Sequence, residues 1–177
     1  MSIEIERHEE MRLTAGLEAE IAALIATAWD DFEGRSFYKQ RHHLRLLARE
    51  EGRLLGHMAL GLRAVRLGPH LVDVATIGEV CTHPEARGRG IASALLQEAI
   101  GEAKASPARF ALLFGEAALY AAAGFRPVGQ NIRLLGLDGA RSHRMVHLRS
   151  HDLLMVLPLG EEAWDEDLPL DLMGGSF

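Results

Sequence analysis

The sequence predicts a single α/β domain in which an antiparallel meander feeds a parallel β–α–β crossover. Three observations carry this. Strand-like stretches at Arg53–Leu60, Leu62–Leu67 and Leu71–Thr82 follow one another through short turns, with Gly68-Pro69-His70 the tightest. The last of them runs through Glu79-Val80-Cys81-Thr82-His83-Pro84 into a loop with two glycines and two arginines, and an Ala/Leu helix begins at once. Finally, 177 residues suffice for one sizeable core and are too few for two comfortable ones.

Bulk composition narrows the function classes. A hydrophobic content of 48% with 25% charged residues is that of a globular protein. A net charge of -6 argues against a nucleic-acid partner, because phosphate contact needs a basic surface. The lone Cys81 excludes an internal disulfide and fits a reducing compartment. No apolar stretch is long enough to span a bilayer, and Met1–Arg7 lacks a signal-peptide core. A cytoplasmic protein with no membrane partner is the expectation.

Taken in order, residues 2–7 alternate apolar and charged, as an edge strand does. Thr14 caps a helix running to Trp29, with Leu17, Ile21, Leu24, Ile25 and Ala28 on one stripe. Asp30-Asp31-Phe32-Glu33-Gly34-Arg35 breaks it. Residues 36–49 read as a second helix, with Phe37, Leu44 and Leu47 inward and His42 and His43 on its wet face. The helix after the glycine loop buries Ile91, Leu95, Leu96, Ala99 and Ile100, and Pro107 enforces its end. Strand-like stretches return at Ile132–Leu137 and His151–Leu159, separated by a polar loop, and an acidic segment closes the chain over 160–177.

The glycine loop carries the sharpest chemistry. Gly88 and Gly90 let the backbone turn and present bare N–H groups, and the following helix adds its unpaired first-turn donors and positive dipole end. With the guanidinium groups of Arg87 and Arg89 these form a phosphate or pyrophosphate cradle. The alternative is an exposed strand–helix joint. No Gly-Lys-Ser/Thr is present for a P-loop, and Gly88-x-Gly90-x-x-Ser93 is only a partial dinucleotide fingerprint.

Arg87-Gly88-Arg89-Gly90-Ile91-Ala92 resembles the Arg/Gln-x-x-Gly-x-Gly/Ala signature of the GCN5-related N-acetyltransferase (GNAT) superfamily. Downstream, Phe110–Phe114 looks like that family's fifth strand, and Leu119-Tyr120 with Gly124-Phe125 looks like its Leu-Tyr-x-x-x-Gly-Phe helix and turn. The resemblance covers about residues 50–130. It implies one GNAT-like domain over 1–177, a mixed twisted sheet of roughly six to seven strands flanked by about four helices, and an acetyl-CoA-binding core at about 71–130.

The resemblance also implies the site. Acetyl-CoA would be the cosubstrate, with no metal. Val80, Cys81 and Thr82 would pair with the pantetheine arm, and Val80 is the match for the strand-bulge N–H aimed at the thioester carbonyl. Arg87, Gly88, Arg89, Gly90, Ile91, Ala92 and Ser93 would grip the pyrophosphate. Tyr120 matches the tyrosine that protonates the departing sulfur, although a tyrosine packing helix against sheet would look the same. Glu79, in an otherwise apolar strand, is either the base or the partner of a nearby arginine. Cys81 has no His and Asn/Asp pattern beside it and reads as a small apolar filler.

The acceptor is the least defined part. The first helical region and its loop help wall the acceptor site in the family, which brings in Asp31. The segment from Asp152 through Pro158, and then Asp171 to Phe177, is similar to aminoglycoside 2'-N-acetyltransferases and to nodulation N-acyltransferases, with Phe at the end instead of Trp and without the serines before the tyrosine helix. Asp31, Glu79, Glu116, Asp152 and Asp171 together would suit a cationic small-molecule amine, with Phe177 as an aromatic contact. A longer acyl donor, a peptide acceptor and a catalytically silent coenzyme-A-binding module are the rivals. His143, His147 and His151 recur every fourth residue but lack a closing fourth ligand for zinc. The family's late strands pair across subunits in some members, which leaves a homodimer open.

Overall fold

The structure, a computed structural model, describes residues 3–115, 118–138, 141–148 and 153–177. Its strands are β1 (Glu4–Glu9), β2 (Leu44–Glu50), β3 (Arg53–Leu67), β4 (His70–Thr82), β5 (Phe110–Phe114), β6 (Arg126–Pro127), β7 (Ile132–Asp138), β8 (Arg141–Leu148), β9 (Leu154–Pro158) and β10 (Leu170–Asp171). The helices are α1 (Ala15–Ile25), α2 (Ile91–Ala105) and α3 (Ala118–Ala122), with 3-10 turns at Glu10–Arg12 and Pro84–Ala86. The expected α/β class with a mixed sheet holds, with more strands and fewer helices than anticipated. The chain divides into two compact units, Met1–Gly61 with Ile77–Ala99, and Leu62–Thr76 with Ile100–Phe177. Gly61, expected to separate two strands, instead lies within the continuous β3, where the first unit ends.

In the first unit β1 pairs with β2 and β2 with β3, both antiparallel. The Thr14 hydroxyl accepts the Leu17 N–H at 3.2 Å and caps α1 as expected. Ile21, Leu24 and Ile25 of that helix pack with Phe32, Leu47 and Cys81. Gly56 lies where a Cβ would fall 2.6 Å from Ile91 Cγ2 and 3.0 Å from Leu95 Cδ1. Absence of a side chain there is what lets the first turn of α2 lie close against β3.

The expected second helix is wrong. Its latter half is β2, and no helix is assigned over 36–43. Leu44, Leu46, Leu47 and Ala48 are all buried, so this strand is covered on both faces and reads as a continuous apolar run rather than an alternating one. Periodicity cannot tell such a strand from a buried helix. His42, expected on a wet face, is buried, whereas His43 is exposed.

In the second unit the strand order is β6-β9-β5-β4-β3-β10-β7-β8. β5–β9, β3–β10 and β7–β8 are antiparallel, and β10–β7 is parallel. Phe110, Leu112, Val72, Val74, Leu154 and Val156 form the centre of its core with Trp164 packed edge-on to Phe110 at 5.0 Å. Trp164 Nε1–H donates to Gln130 Oε1 at 2.5 Å, which satisfies both buried polar groups. The expected polar loop between the late strands contains β8. Its residues are largely exposed, so no apolar alternation marks it, and charged side chains are what an edge strand carries. His143 and His147 therefore sit on a strand instead of stacking on a helix, and His151 lies outside the described residues.

The β2–β3 hairpin turns through Glu51 and Gly52, whose φ angles are 50° and 80°. Two positive values in a two-residue loop match a type I′ turn, which favours Asn-Gly, and a left-handed non-glycine residue costs about 1–2 kcal/mol. Exposed Glu51 makes no use of that strain. Glu51→Asn is expected to stabilise the protein by roughly 0.5–1 kcal/mol, read as a raised urea midpoint at unchanged slope. An unchanged or lowered midpoint would contradict this turn assignment.

Candidate active site

The C-terminal end of β4 is organised around Glu79. Its φ is 52°, a left-handed value rare for a residue with a side chain. Three bonds hold it there. Tyr38 N–H donates to Oε1 at 2.9 Å, Arg45 Nη1 donates to Oε2 at 2.7 Å, and His57 Nδ1 lies 2.7 Å from its main-chain oxygen. His42 Nε2 is a further neighbour, 3.2 Å from Oε1. Burial alone would raise the carboxyl pKa, but His42, Arg45 and the Tyr38 N–H outweigh it and the net shift is downward. A carboxylate so stabilised is a poor proton acceptor. The sequence left the base and ion-pair readings of Glu79 open, and this geometry fits the ion pair.

Arg45 is itself fully buried. It is bidentate to Glu10, with Nε to Oε2 at 2.6 Å and Nη2 to Oε1 at 3.1 Å, and Nη1 also donates to the Ser36 carbonyl at 3.0 Å. His57 Nε2 lies 3.2 Å from the same Nη1. Since Arg can only donate and a carbonyl can only accept, His57 must be neutral with its proton on Nδ1. Burial first, then the Arg45 charge, push its pKa down to about 4. Of the five residues in this cluster, Glu10, Ser36, Arg45, His57 and Glu79, only Glu79 stood out in the sequence. Arg45 and His57 lie within apolar strands, the signal that drew attention to Glu79.

Val80, Cys81 and Thr82 follow and complete β4. Cys81 is buried, and burial followed by the nearby Glu79 charge push its thiol up to about 12. It is a neutral filler at any ordinary pH. The chain then leaves the sheet through the 3-10 turn at Pro84–Ala86, capped by His83 Nδ1, which accepts Glu85 N–H at 3.4 Å.

Gly88 and Gly90 have φ angles of 76° and 79°, and a Cβ at either would meet nothing within 4 Å. These glycines are there for backbone conformation and not for room. Ala94 N–H closes the first helical bond to Gly90 at 3.0 Å, so the N–H groups of Ile91, Ala92 and Ser93 are first-turn donors without an acceptor inside α2. Arg87 and Arg89 are exposed around them. Arg89 Nη2 donates to Glu50 at 2.6 Å, while Arg53 pairs with Glu85 at 2.7 Å. Both are surface pairs of small net value, which an incoming phosphate can displace. Residues Glu79 to Ser93 thus form one continuous feature of the first unit.

Tyr120, in the second unit, is fixed by a helix-terminating motif. Phe125 N–H bonds the Tyr120 carbonyl at 3.0 Å and Gly124 N–H bonds Ala121 at 3.0 Å, with Gly124 at φ 95°. This is a Schellman motif, and the Tyr120 and Phe125 rings meet edge-on at 6.2 Å as its apolar contact. The Tyr-x-x-x-Gly-Phe spacing is therefore the geometry of a helix end. A Cβ on Gly115 would fall 2.7 Å from Tyr120 Cε2, so the ring also needs that glycine. Burial raises the phenol pKa above its usual 10.0, which keeps its proton on at neutral pH.

Of the expected acceptor-contact residues, Asp31, Asp171 and Phe177 lie among the described residues. Asp31 is exposed, close in sequence to the stacked rings of Trp29 and Phe32 at 5.4 Å. Glu116 and Asp152 lie outside the described residues. Asp171 is 3.3 Å from Arg133 Nη1 and pairs in register with Arg66 as well. The cleft it lines, about 460 Å³, also holds Arg66, Arg133 and His147. Two arginines against one aspartate suit an anion better than a cation. Phe177 packs on Phe114 at 5.1 Å and lies 6.0 Å from the Arg63 guanidinium, which donates to the Leu172 and Gly175 carbonyls.

Among the described residues no helix is long and apolar enough to cross a membrane. A family model described as an acetyltransferase (GNAT) domain matches residues 11–128. A search of curated proteins found no match. Among solved structures, a GNAT family acetyltransferase from Brucella melitensis in complex with acetyl-CoA is similar at 20% identity and TM-score 0.59, over 93% of this chain and 94% of that one. A GNAT family N-acetyltransferase (YhbS) from Escherichia coli in complex with CoA is similar at 15% identity and TM-score 0.62, over 96% and 89%. An acyl-CoA N-acyltransferase from Pseudomonas aeruginosa is similar at 19% identity and TM-score 0.59, over 88% and 99%.

The buried cluster makes folding sensitive to acid. His57 binds its proton at about 6.5 when unfolded and about 4 when folded, so the unfolded chain takes up more protons between those values. Stability should be fully present above about pH 6.5 and fall by about 3 kcal/mol as pH drops to 4. Glu10 and Glu79, also lowered on folding, extend the loss below about pH 4.5. Urea unfolding across pH 7 to 4 checks this, and His57→Gln should flatten the upper part of the slope. An unchanged slope in that variant would contradict a buried neutral His57.

Proposed function

The chain belongs to the acetyltransferase (GNAT) family, a family of acyl-CoA-dependent N-acyltransferases, and we propose that it transfers an acetyl group from acetyl-CoA to the primary amine of a small acceptor. The observation that carries this is the run from Glu79 to Ser93, where a left-handed residue in β4 is followed by two left-handed glycines and the open first turn of α2. The first-turn N–H groups with Arg87 and Arg89 suit the pyrophosphate. A pyrophosphate would replace Glu50 as the partner of Arg89.

In the proposed reaction the neutral amine attacks the thioester carbonyl, and the Val80 N–H stabilises the oxyanion. Collapse of the intermediate expels the thiolate, which takes the Tyr120 proton. The amine proton leaves to water, because the Glu79 carboxylate is held by Arg45 and Tyr38, and water returns a proton to the Tyr120 phenolate. An aminoglycoside acceptor draws no support from Asp171, which Arg133 neutralises. Amines of lower charge are the better first substrates.

Thiol release from acetyl-CoA, followed with a disulfide dye across monoamines, amino acids, polyamines, aminoglycosides and short peptides, tests the proposal. Tyr120→Phe should lower kcat by about a hundredfold while acetyl-CoA binding stays unchanged. Arg89→Ala should weaken acetyl-CoA binding roughly tenfold, the worth of one charge-assisted hydrogen bond. Acetyl-CoA binding without thiol release across the panel would point to a longer acyl donor or a silent module. No binding would overturn the cradle.

A further inference from the structure

We infer that Arg45 is a positioning residue for the reaction, acting through Glu79 and His57 to hold the left-handed turn in β4 that directs the Val80 N–H. The inference rests on the proposed role of Val80 and goes beyond it, since no feature of the glycine loop or of Tyr120 requires a buried arginine in β2.

The bonds form a closed circuit. Arg45 donates from one nitrogen, Nη1, toward Glu79 Oε2 at 2.7 Å and His57 Nε2 at 3.2 Å. His57 passes the constraint on, its Nδ1–H donating to the Glu79 carbonyl oxygen at 2.7 Å. Side chain and main chain of one residue are thereby tied to the same guanidinium. The Tyr38 N–H fixes the remaining carboxylate oxygen at 2.9 Å. Rotating the Glu79–Val80 peptide would break the His57 bond, and pulling the carboxylate away would leave the Glu79 charge, 9% exposed, without its guanidinium partner. Arg45 in turn cannot follow Glu79, because Glu10 grips it bidentately and the Ser36 carbonyl shares the two Nη1 hydrogens with Glu79 and His57. Its side chain is 0% exposed, so water offers no substitute acceptor.

A left-handed Glu is strained relative to its relaxed conformation. A buried charge pair broken on one side costs more than that strain. The pair therefore wins, and the turn is held in the strained conformation. The peptide that follows carries the Val80 N–H, so its direction is set by this lock and not by the strand's own preference. A donor for a developing oxyanion must be aimed before charge appears, and the circuit supplies that aim.

The test compares ¹⁵N–¹H spectra of the intact protein with CoA and with acetyl-CoA, two ligands that differ only in the acyl group. In the wild type the Val80 amide should differ between the two complexes, while the Gly88 and Gly90 amides respond alike to both. In Arg45→Met the Gly88 and Gly90 responses should persist and the Val80 difference should vanish. kcat should fall roughly tenfold to a hundredfold with the KM for acetyl-CoA changed less than about twofold. Arg45→Lys, which keeps one donor to Glu79, should recover part of kcat. If Arg45→Met does not fold, Glu79→Gln, which keeps the shape and drops the charge, reads the same signals. Retention of the Val80 difference and of kcat in these variants overturns the inference, as does a parallel loss of the Gly88, Gly90 and Val80 responses, which would mark a general structural role. A wild type whose Gly88 and Gly90 respond while Val80 does not instead overturns the oxyanion assignment itself, before any variant is compared.

Discussion

Burying the Arg45 guanidinium is the constraint on which the first unit depends. A cation with 0% exposure is tolerated only when its charge is matched and its donors are used. The chain meets that demand from four places, with Glu10 after β1, the Ser36 carbonyl from the segment before β2, His57 of β3 and Glu79 of β4. Those partners lie far apart in sequence. Each must arrive for any of them to be satisfied, so the cluster selects one arrangement of these segments among the many that apolar packing alone would allow. The segment over 36–43 shows the effect. It forms no regular element, and what fixes it is the Ser36 carbonyl on Arg45, the Tyr38 N–H on Glu79 and the Tyr38 ring on Phe32 at 5.3 Å.

Two exposed arginines of the same unit are paired differently. Arg89 and Arg53 meet Glu50 and Glu85 at the surface, where water can replace either partner at little cost. An ion pair of that kind is exchangeable, which suits residues flanking a site for an anionic ligand. The Arg45 pairs are not exchangeable, because its side chain is 0% exposed and water cannot replace either carboxylate. The contrast separates cations that hold the frame from cations open to a ligand, and burial decides between them more than identity does.

Much of this was legible in the sequence where a residue type answers a local backbone demand. Thr14 at the start of α1, Gly88 and Gly90 before α2, and Gly124-Phe125 after α3 each act within a few residues of their position. The Tyr-x-x-x-Gly-Phe spacing is the clearest case, since it states a helix end and its apolar contact in one phrase. What stayed hidden depends on partners distant in sequence. β2 lost its alternation because both faces are covered, and β8 never had one because its face is wet. The burial of Arg45 could not be read from Leu-Arg-Leu-Leu, where an arginine is as compatible with a wet helix face. Asp171 looked available for a ligand until β10 came to lie between β3 and β7, with Arg66 and Arg133 in register on either side.

Left-handed positions reveal the logic of the site most directly. At Gly88 and Gly90 the chain needs only the conformation, and glycine supplies it without strain. At Glu79 the chain needs the same backbone region and accepts a residue for which it is costly. Glycine there would remove the strain and with it one of the two carboxylates on Arg45, exchanging about 1–2 kcal/mol of local relief for the loss of the acceptor that Arg45 Nη1 and the Tyr38 N–H both use. Alanine would keep the strain and lose the charge. Asparagine tolerates the backbone and presents an acceptor, but it is one methylene shorter and uncharged, so it cannot match Arg45. Glutamate alone among these satisfies the guanidinium and reaches both the Arg45 and Tyr38 donors, and the strained backbone is the consequence of that choice.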